Sequence, residues 1–148
     1  MYIRFKYSVD LKMQDMVLFD AEIQYLPLML RLIRSKLNEL PITASDRNKL
    51  EVVSEEILVN IIHYAYQGKI GKIEIVWLLK LPLVHITFKD FGFPFNPLKN
   101  EKAPIKSLSV DSKDIGGLGI FFIKNLVDKI EYRYEKGANI LTVSKNLS

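Results

Sequence analysis

Residues 55–66 read EEILVNIIHYAY, a stretch that predicts a helix with polar side chains at the border of its apolar face. Glu56 and Asn60 are four residues apart, so on a helix they lie one above the other. The neighbouring apolar stripe is formed by Leu50, Val53, Ile57, Ile61 and Ala65. Burying an amide without a partner costs roughly 1–3 kcal/mol. Asn60 therefore either points to water or meets a group from outside the chain.

The polar pair on this helix leaves two interpretations open. It can be an exposed pair at the rim of a core helix, which needs no ligand. Alternatively, Glu56 and the amide oxygen of Asn60 form the edge of a pocket, where they would hold a hydrated Mg²⁺ and activate an oxygen nucleophile. Mg²⁺ suits such a site because it prefers oxygen ligands and keeps several of its waters.

The composition of the chain narrows its class. Its 148 residues, 49% hydrophobic and 26% charged, indicate one globular domain with a core. The basic residues behind the net charge of +4 are scattered, so we expect a solvated surface and no direct contact with nucleic acid. The chain has no cysteine, which excludes disulfides, thiolate zinc sites and a cysteine nucleophile. It has neither a signal-like apolar core nor a membrane-length apolar run, so we expect a cytoplasmic protein without membrane contact.

Periodicity along the chain predicts the elements around the central helix. Apolar spacing predicts helices over 21–40, from Thr43 or Ser45 to Tyr66, and from Gly116 to Ile130. Period-two alternation predicts strands over 3–9, 72–80 and 83–90, and a C-terminal hairpin that turns at 136–139. Residues 91–115 hold three of the six prolines and predict a long loop. The fold class is therefore α+β, a two-layer α/β sandwich with helices on one face of a mostly antiparallel sheet.

A second polar stretch, DFGFPFNP, follows the last of these strands at residues 90–97. Asp90 ends the strand on the face that carries Phe88, so its carboxylate points toward a core or pocket and needs donors. An adenine amino group is one possible donor. Gly92 would give clearance for a planar ring or adopt a positive φ, and Pro94 would stiffen the chain. The same residues can also form nothing more than a turn.

The third stretch is GGLGI, residues 116–120, at the predicted start of a helix. Three glycines in four positions leave backbone N–H groups unshielded at the positive end of the helix, which suits phosphates. The stretch is neither a P-loop nor a dinucleotide-binding G-x-G-x-x-G motif. Alternatively, the glycines only make a loop flexible and bind no phosphate.

The order of the three stretches resembles that of the Bergerat-fold (GHKL) ATPases, the superfamily of DNA gyrase B, heat-shock chaperone ATPases and histidine kinases. The Glu-to-Asn helix is similar to the N box, and DFGFPFNP and GGLGI are similar to the two glycine boxes. SEEILVNIIHYAY, DFGFPFNPL and GGLGIFFIKNLVDKIEYRYEKGANILTVSK together resemble the anti-sigma-factor serine kinases of bacterial partner-switching systems. This resemblance covers roughly residues 17–147.

The resemblance implies a role for each matched residue. Glu56 would be the general base toward the hydroxyl of a partner's serine, and Asn60 would bind Mg²⁺ beside the nucleotide phosphates. Asp90 would accept a hydrogen bond from the adenine amino group, with Gly92 and Pro94 in the same glycine box. The other implied nucleotide-binding residues are Gly116, Gly117, Leu118, Gly119 and Ile120, whose glycines would meet phosphate oxygens, and Thr142, which would assist Asp90 through water.

The resemblance also implies a domain organisation. Residues 1–148 would form a single histidine-kinase-like ATPase domain in which residues 96–115 are the ATP lid. Residues 1–16 have no clear counterpart and would add an N-terminal strand or a dimer contact. Tyr64 occupies the position where many members have histidine, so we expect His63 to be a rim or core histidine.

The function implied by the resemblance is that of an ATP-dependent protein serine kinase and anti-sigma factor that uses ATP and Mg²⁺. It would phosphorylate an anti-sigma-factor antagonist of the STAS type, sequester a sigma factor and form a homodimer. An ATP-binding module that switches partners without kinase activity is the alternative. The ATP-binding half of a histidine kinase is disfavoured, because neither His63 nor His85 sits in a separate dimerising hairpin. A scaffold that binds no nucleotide is the fourth hypothesis.

Overall fold

The computed structural model describes residues 3–9, 12–99 and 122–147, with side-chain surroundings from residue 15 onward. The elements are β1 Ile3–Val9, β2 Lys12–Asp20, a 3-10 turn Ile23–Tyr25, α1 Leu26–Asn38, α2 Ala44–Asn60, a π-helical turn Ile61–Ala65, β3 Lys72–Lys80, β4 Leu83–Asp90, a 3-10 turn Pro97–Lys99, β5 Lys129–Glu135 and β6 Ala138–Asn146. The strands of this described part form one antiparallel six-stranded sheet in the order β1-β2-β3-β4-β6-β5. The predicted α+β class is confirmed.

One face of the sheet carries the core. In the cross-strand register, Ile75 of β3 lies opposite Val17 of β2 and Phe88 of β4. Phe88 in turn lies opposite Leu141 of β6, and all four side chains are buried. They belong to one core cluster with the inward residues of α1 and α2, Met29, Ile33, Leu37, Leu50, Val53 and Ile57. Because strand residues alternate between faces, this register also places Asp90 on the helix side of the sheet.

Strands β3 and β4 occupy the residues predicted for them, whereas β2 was not predicted. The inward face of β2 carries Asp15, a carboxylate only 4% exposed, between β3 and the helix layer. Lys36 of α1, itself 8% exposed, forms an ion pair with it. A charge at an inward position interrupts the apolar alternation by which a strand is recognised, and it is tolerated there because it is paired.

A capping side chain and a proline mark the first turns of the two α-helices. The hydroxyl oxygen of Thr43 accepts a hydrogen bond from the backbone N–H of Asp46 at 3.1 Å, so Thr43 is the N-cap of α2. The α-helical part of α1 begins at Leu26, later than the predicted residue 21, with Pro27 in its first turn. Ile23, predicted for the core stripe, is 55% exposed, and that part of the prediction is wrong.

The C-terminal third is described from residue 122 onward. Phe122 and Ile123 are helical, the chain then turns, and β5 begins at Lys129, so the predicted helix ends before residue 130. The hairpin from β5 to β6 turns at Lys136 and Gly137, whose φ values of 51° and 76° suit a two-residue turn. Within the ranges described here, no helix is long and apolar enough to cross a membrane.

Candidate functional site

Helix α2 ends in a π-helical turn that forms one wall of a cavity. The α-helical part ends at Asn60, and Ile61–Ala65 continue as the π turn. Such a turn inserts an extra residue and redirects the side chains that follow, and it is frequent at functional sites. From this part of the chain the cavity is lined by Asn60, Ile61, His63, Tyr64, Ala65 and Gln67, together with Ile57 of α2.

The opposite wall of the cavity is the core face of the sheet. It consists of Phe88 and Asp90 at the end of β4, Tyr132 of β5, Asn139 and Leu141 of β6, and Phe93, Phe95 and Pro97 from the following loop. The enclosed volume is about 260 Å³. Apolar and aromatic walls with a few polar groups are typical of small-molecule sites, whose volumes begin near 300 Å³.

The structure brings Asn60 and Asp90 to this one cavity from opposite layers of the fold. Asn60 comes from the end of α2 and Asp90 from the last residue of β4. A carboxylate and an amide thus face a shared apolar space between the helix layer and the sheet. The cavity therefore carries polar groups on two opposite walls.

Asp90 is buried, with an exposed fraction of 6%, and its hydrogen bonds converge on one oxygen. Its Oδ1 accepts from the backbone N–H of Gly92 at 3.0 Å and from the side-chain amide of Asn139 at 2.9 Å. Burial raises the pKa of Asp90 above its ordinary value, while the hydrogen bonds from Asn139 and Gly92 act in the opposite direction. Within the described chain both donors reach Oδ1, so Oδ2 is the oxygen available to a ligand donor.

Gly92 is required by packing against the end of the helix. A Cβ at this position would lie 2.1 Å from the carbonyl oxygen of Ala65 and 2.7 Å from its carbonyl carbon. Its φ lies outside the left-handed region, so close approach and not a turn conformation explains the glycine. Pro94 is exposed and does not line the cavity, although its neighbours Phe93 and Phe95 do.

Glu56 lies one turn before Asn60, outside the set of residues that line the cavity. Its Oε2 is buried, and in the described residues this atom has no hydrogen-bond partner. Burial raises the pKa of the Glu56 carboxyl, and the nearby charge of Glu55 raises it further. Glu56 therefore holds a proton more tightly than an ordinary glutamate.

Asn139 and Tyr132 are site residues that the sequence analysis missed. The Asn139 side chain donates to Asp90 and accepts a hydrogen bond from the hydroxyl of Tyr132. Both residues line the cavity. Alternation offers the signal that finds Asn139, because it stands two residues before Leu141 and so shares the inward face of β6.

Thr142 lies on the other face of the sheet. It stands three residues after Asn139, and its hydroxyl oxygen is 2.9 Å from that of Thr87 on β4. Three steps along a strand reverse the direction of a side chain. This placement does not support the water-mediated contribution of Thr142 to Asp90, and Asn139 replaces it as the residue of β6 next to that carboxylate.

The remaining predicted residues divide into two groups. Gly116, Gly117, Leu118, Gly119 and Ile120 lie outside the described residues, as does the part of the predicted lid from residue 100 onward. His63 and Tyr64 are exposed at the rim of the cavity, with ring centroids 6.1 Å apart.

No group of three or more His, Cys, Asp or Glu within the described ranges is placed to hold a metal ion.

Comparisons with known proteins show the family to which the chain belongs. The family model described as "Histidine kinase-like ATPase domain" matches residues 19–145, a range that includes both polar ends of the cavity. The serine-protein kinase RsbW of Bacillus cereus is 27% identical over 124 residues, which cover 82% of this chain and 78% of the relative. The protein of the same name from Bacillus thuringiensis subsp. konkukian matches with the same identity and coverage.

Proposed function

Because the chain belongs to the histidine kinase-like ATPase domain family, we propose that it is an ATP-dependent protein serine kinase and anti-sigma factor. It transfers the γ-phosphoryl group of ATP to a serine of an anti-sigma-factor antagonist of the STAS type, and it sequesters a sigma factor. Relatives named as serine-protein kinases, which cover 82% of the chain, support the kinase class.

The observation that carries the proposal is the shared cavity of Asn60 and Asp90. One wall comes from the end of α2 and the other from the end of β4 and from β6. A nucleotide is a ligand with a planar base at one end and a metal-binding polyphosphate at the other. The two walls offer a group suited to each end.

The sheet side of the cavity suits the adenine ring. Asp90 Oδ2 accepts a hydrogen bond from the exocyclic amino group, because Oδ1 already accepts two. Phe93, Phe95 and Tyr132 supply aromatic walls that pack against a planar base. Exclusion of water by these rings strengthens the hydrogen bond to the carboxylate.

The helix side suits Mg²⁺ beside the phosphates. Mg²⁺ keeps several waters and takes few protein ligands when substrate phosphates supply the others. A single amide oxygen from Asn60, without an acidic cluster among the described residues, fits that requirement. The ion would neutralise charge on the phosphates, and Asn60 would fix their position relative to Glu56 one turn earlier. The glycine box from Gly116 to Ile120 and a lid over residues 96–115 remain part of the proposal on the strength of the family resemblance.

Glu56 acts as the general base. Its raised pKa brings the carboxylate closer to the pH at which it both accepts a proton and stays largely ionised. It takes the proton of the attacking serine hydroxyl while that oxygen bonds to the γ-phosphorus and ADP leaves. Positioning and charge neutralisation provide most of the rate enhancement in phosphoryl transfer, and proton transfer adds to them.

The proposal extends to regulation. ATP and ADP states favour different partners, so that phosphorylation of the antagonist and capture of the sigma factor alternate. We further propose a cytoplasmic homodimer, the assembly expected from the resemblance to partner-switching kinases. Size-exclusion chromatography with light scattering tests the dimer independently of the kinase reaction.

Label transfer tests the activity. The full chain is incubated with γ-labelled ATP, Mg²⁺ and purified STAS-type antagonist domains, and the label is mapped by mass spectrometry. Magnesium-dependent labelling of one serine is the expected result. Measurable ATP binding without transfer to any antagonist would favour the partner-switching module that lacks kinase activity. No binding of ATP would overturn both.

A further inference from the structure

Asn139 connects the Asp90 carboxylate, the loop after β4 and the β5–β6 hairpin. Its Nδ2 donates to Asp90 Oδ1 and to the carbonyl oxygen of Phe93, both at 2.9 Å. Its Oδ1 accepts from the backbone N–H of Phe95 at 3.0 Å and from the hydroxyl of Tyr132. Asn139 is only 6% exposed. One buried amide therefore fixes three separate segments around the cavity.

The hydrogen-bonding capacity of this amide is fully used. A primary amide has two N–H donors and two acceptor lone pairs, and all four have partners here. Exchanging the nitrogen and oxygen positions would set the oxygen against two acceptors, Asp90 Oδ1 and the Phe93 carbonyl. The orientation is therefore unambiguous, and the amide has no donor left to offer a ligand.

We propose that Asn139 is a positioning residue that makes the cavity selective for purines with an exocyclic 6-amino group over purines with a 6-oxo group. This inference rests on the proposed nucleotide-binding function. By holding Asp90 Oδ1, Asn139 directs Oδ2 to accept an N–H from the base. A 6-oxo base would instead present an oxygen to the carboxylate. The Asn139 amide cannot rotate to donate a hydrogen bond to that oxygen, because both of its N–H groups are already used.

The same amide also orders the aromatic wall. It holds the backbone of Phe93 and of Phe95, whose rings are 6.4 Å apart and both line the cavity. These two side chains are 43% and 45% exposed, so packing alone does not fix them. Backbone hydrogen bonds to a buried residue preorganise the loop before a ligand arrives, which lowers the entropy lost on binding.

The test compares two ligands on two proteins. Calorimetry measures the affinities of ATP–Mg and of inosine triphosphate–Mg, the analogue with a 6-oxo group in place of the amino group, for wild type and Asn139→Leu. We expect wild type to favour ATP by roughly 10- to 100-fold, the range of a hydrogen bond to a charged acceptor. In Asn139→Leu, which is close in size but cannot hold Asp90, the preference falls to about threefold or less.

The ratio of the two ligand affinities distinguishes a positioning role of Asn139 from a general loss of structure. A variant with a generally disturbed cavity loses affinity for both ligands equally and keeps the ratio, and that result would overturn the inference. Thr87→Val is the matched control, because it removes a hydroxyl contact on the opposite face of the sheet and leaves the ratio unchanged. Equal affinity of wild type for both ligands would likewise overturn the inference, whereas no binding of ATP would overturn the proposed function itself.

Tyr132→Phe keeps the test decisive should Asn139→Leu not fold. It removes one of the two donors to Asn139 Oδ1 and leaves the ring in place. The preference for ATP then decreases by about two- to tenfold, the range of one neutral hydrogen bond. An unchanged preference in a folded Tyr132→Phe protein would count against the inference as directly as in the leucine variant.

Discussion

Asp90, which lines the cavity from the sheet, and Glu56, one turn before Asn60 and outside the cavity lining, differ in how far hydrogen bonds satisfy their carboxyl groups. At the sheet end, Asp90 Oδ1 accepts two hydrogen bonds, and Asn139 makes four. On helix α2, the buried Oε2 of Glu56 has no hydrogen-bond partner in the described chain. Burial raises the pKa of both carboxyls, but only that of Asp90 is opposed by hydrogen bonds.

This difference indicates different tasks for two similar side chains. A carboxylate held by fixed donors presents a constant acceptor, which suits recognition of a base. A carboxylate with one buried oxygen that has no donor binds a proton more readily, which suits proton transfer. If this division is correct, changes at Glu56 alter rate and changes at Asp90 alter affinity.

Glu56→Gln gives the largest expected effect. Replacing the general base lowers kcat for serine phosphorylation by roughly 10²- to 10⁴-fold. Affinity for ATP–Mg stays within about twofold, because the base interacts with the serine hydroxyl and not with the nucleotide. Single-turnover kinetics and calorimetry on the same preparation measure both. A comparable loss in affinity would contradict the division of tasks between Glu56 and Asp90.

Asp90→Asn is the complementary change at the sheet end. It replaces one of the acceptor oxygens by a donor and lowers ATP affinity by roughly 10- to 100-fold. The matched control is Asp20→Asn, which removes an acidic side chain paired with Lys72 outside the cavity lining. Calorimetry should find the control within about twofold of wild type. Equal affinities for wild type and Asp90→Asn would exclude Asp90 from the site.

Gly92→Ala tests the contact that joins the two ends. The added Cβ would lie 2.1 Å from the backbone carbonyl oxygen of Ala65, which cannot move as a flexible side chain can. We expect a loss of about 1–3 kcal/mol in the free energy of unfolding, the usual cost of overpacking. Urea unfolding measures it, and Ala65→Gly should not rescue the variant, because the clash is with the backbone. Unchanged stability would show that the ends are not in tight contact.

The pH dependence of stability gives the smallest effect. Burial raises the pKa of Glu56 in the folded state above its ordinary value of 4.5, so the folded protein binds this proton more tightly than the unfolded chain. The wild-type protein therefore loses stability as the pH rises from about 4.5 through the raised pKa of Glu56. Glu56→Gln has no such loss, so its melting temperature relative to wild type rises with pH and then levels off. The half-exposed position keeps the gain small, and a constant difference from pH 4 to 8 would contradict the raised pKa.

The sequence predicts the elements whose local pattern agrees with their burial. Strands β3 and β4 alternate cleanly, and the spacing of α2 follows its buried face. Strand β2 escapes prediction because Asp15 occupies an inward position that only the distant Lys36 makes tolerable. No local pattern can show a partner on another element.

The sequence likewise predicts only part of the candidate site. The spacing of Glu56 and Asn60 and the strand-end position of Asp90 identify the polar groups, but not their hydrogen bonds. Asn139 was missed because it was predicted within the turn at 136–139, whereas β6 already begins at Ala138. Thr142 was included because the direction of its side chain depends on the register of β6. That register is set by pairing with β4, which the sequence does not display.

Asn60→Ala tests whether Asn60 on the helix side and Asp90 on the sheet side bind opposite parts of one ligand. Calorimetry compares ATP–Mg with adenosine for wild type and this variant. We expect a loss of at least about tenfold for ATP–Mg, with adenosine affinity unchanged, because the proposed function places Asn60 at the metal-bound phosphates and Asp90 at the base. Equal affinity of both proteins for ATP–Mg would contradict it.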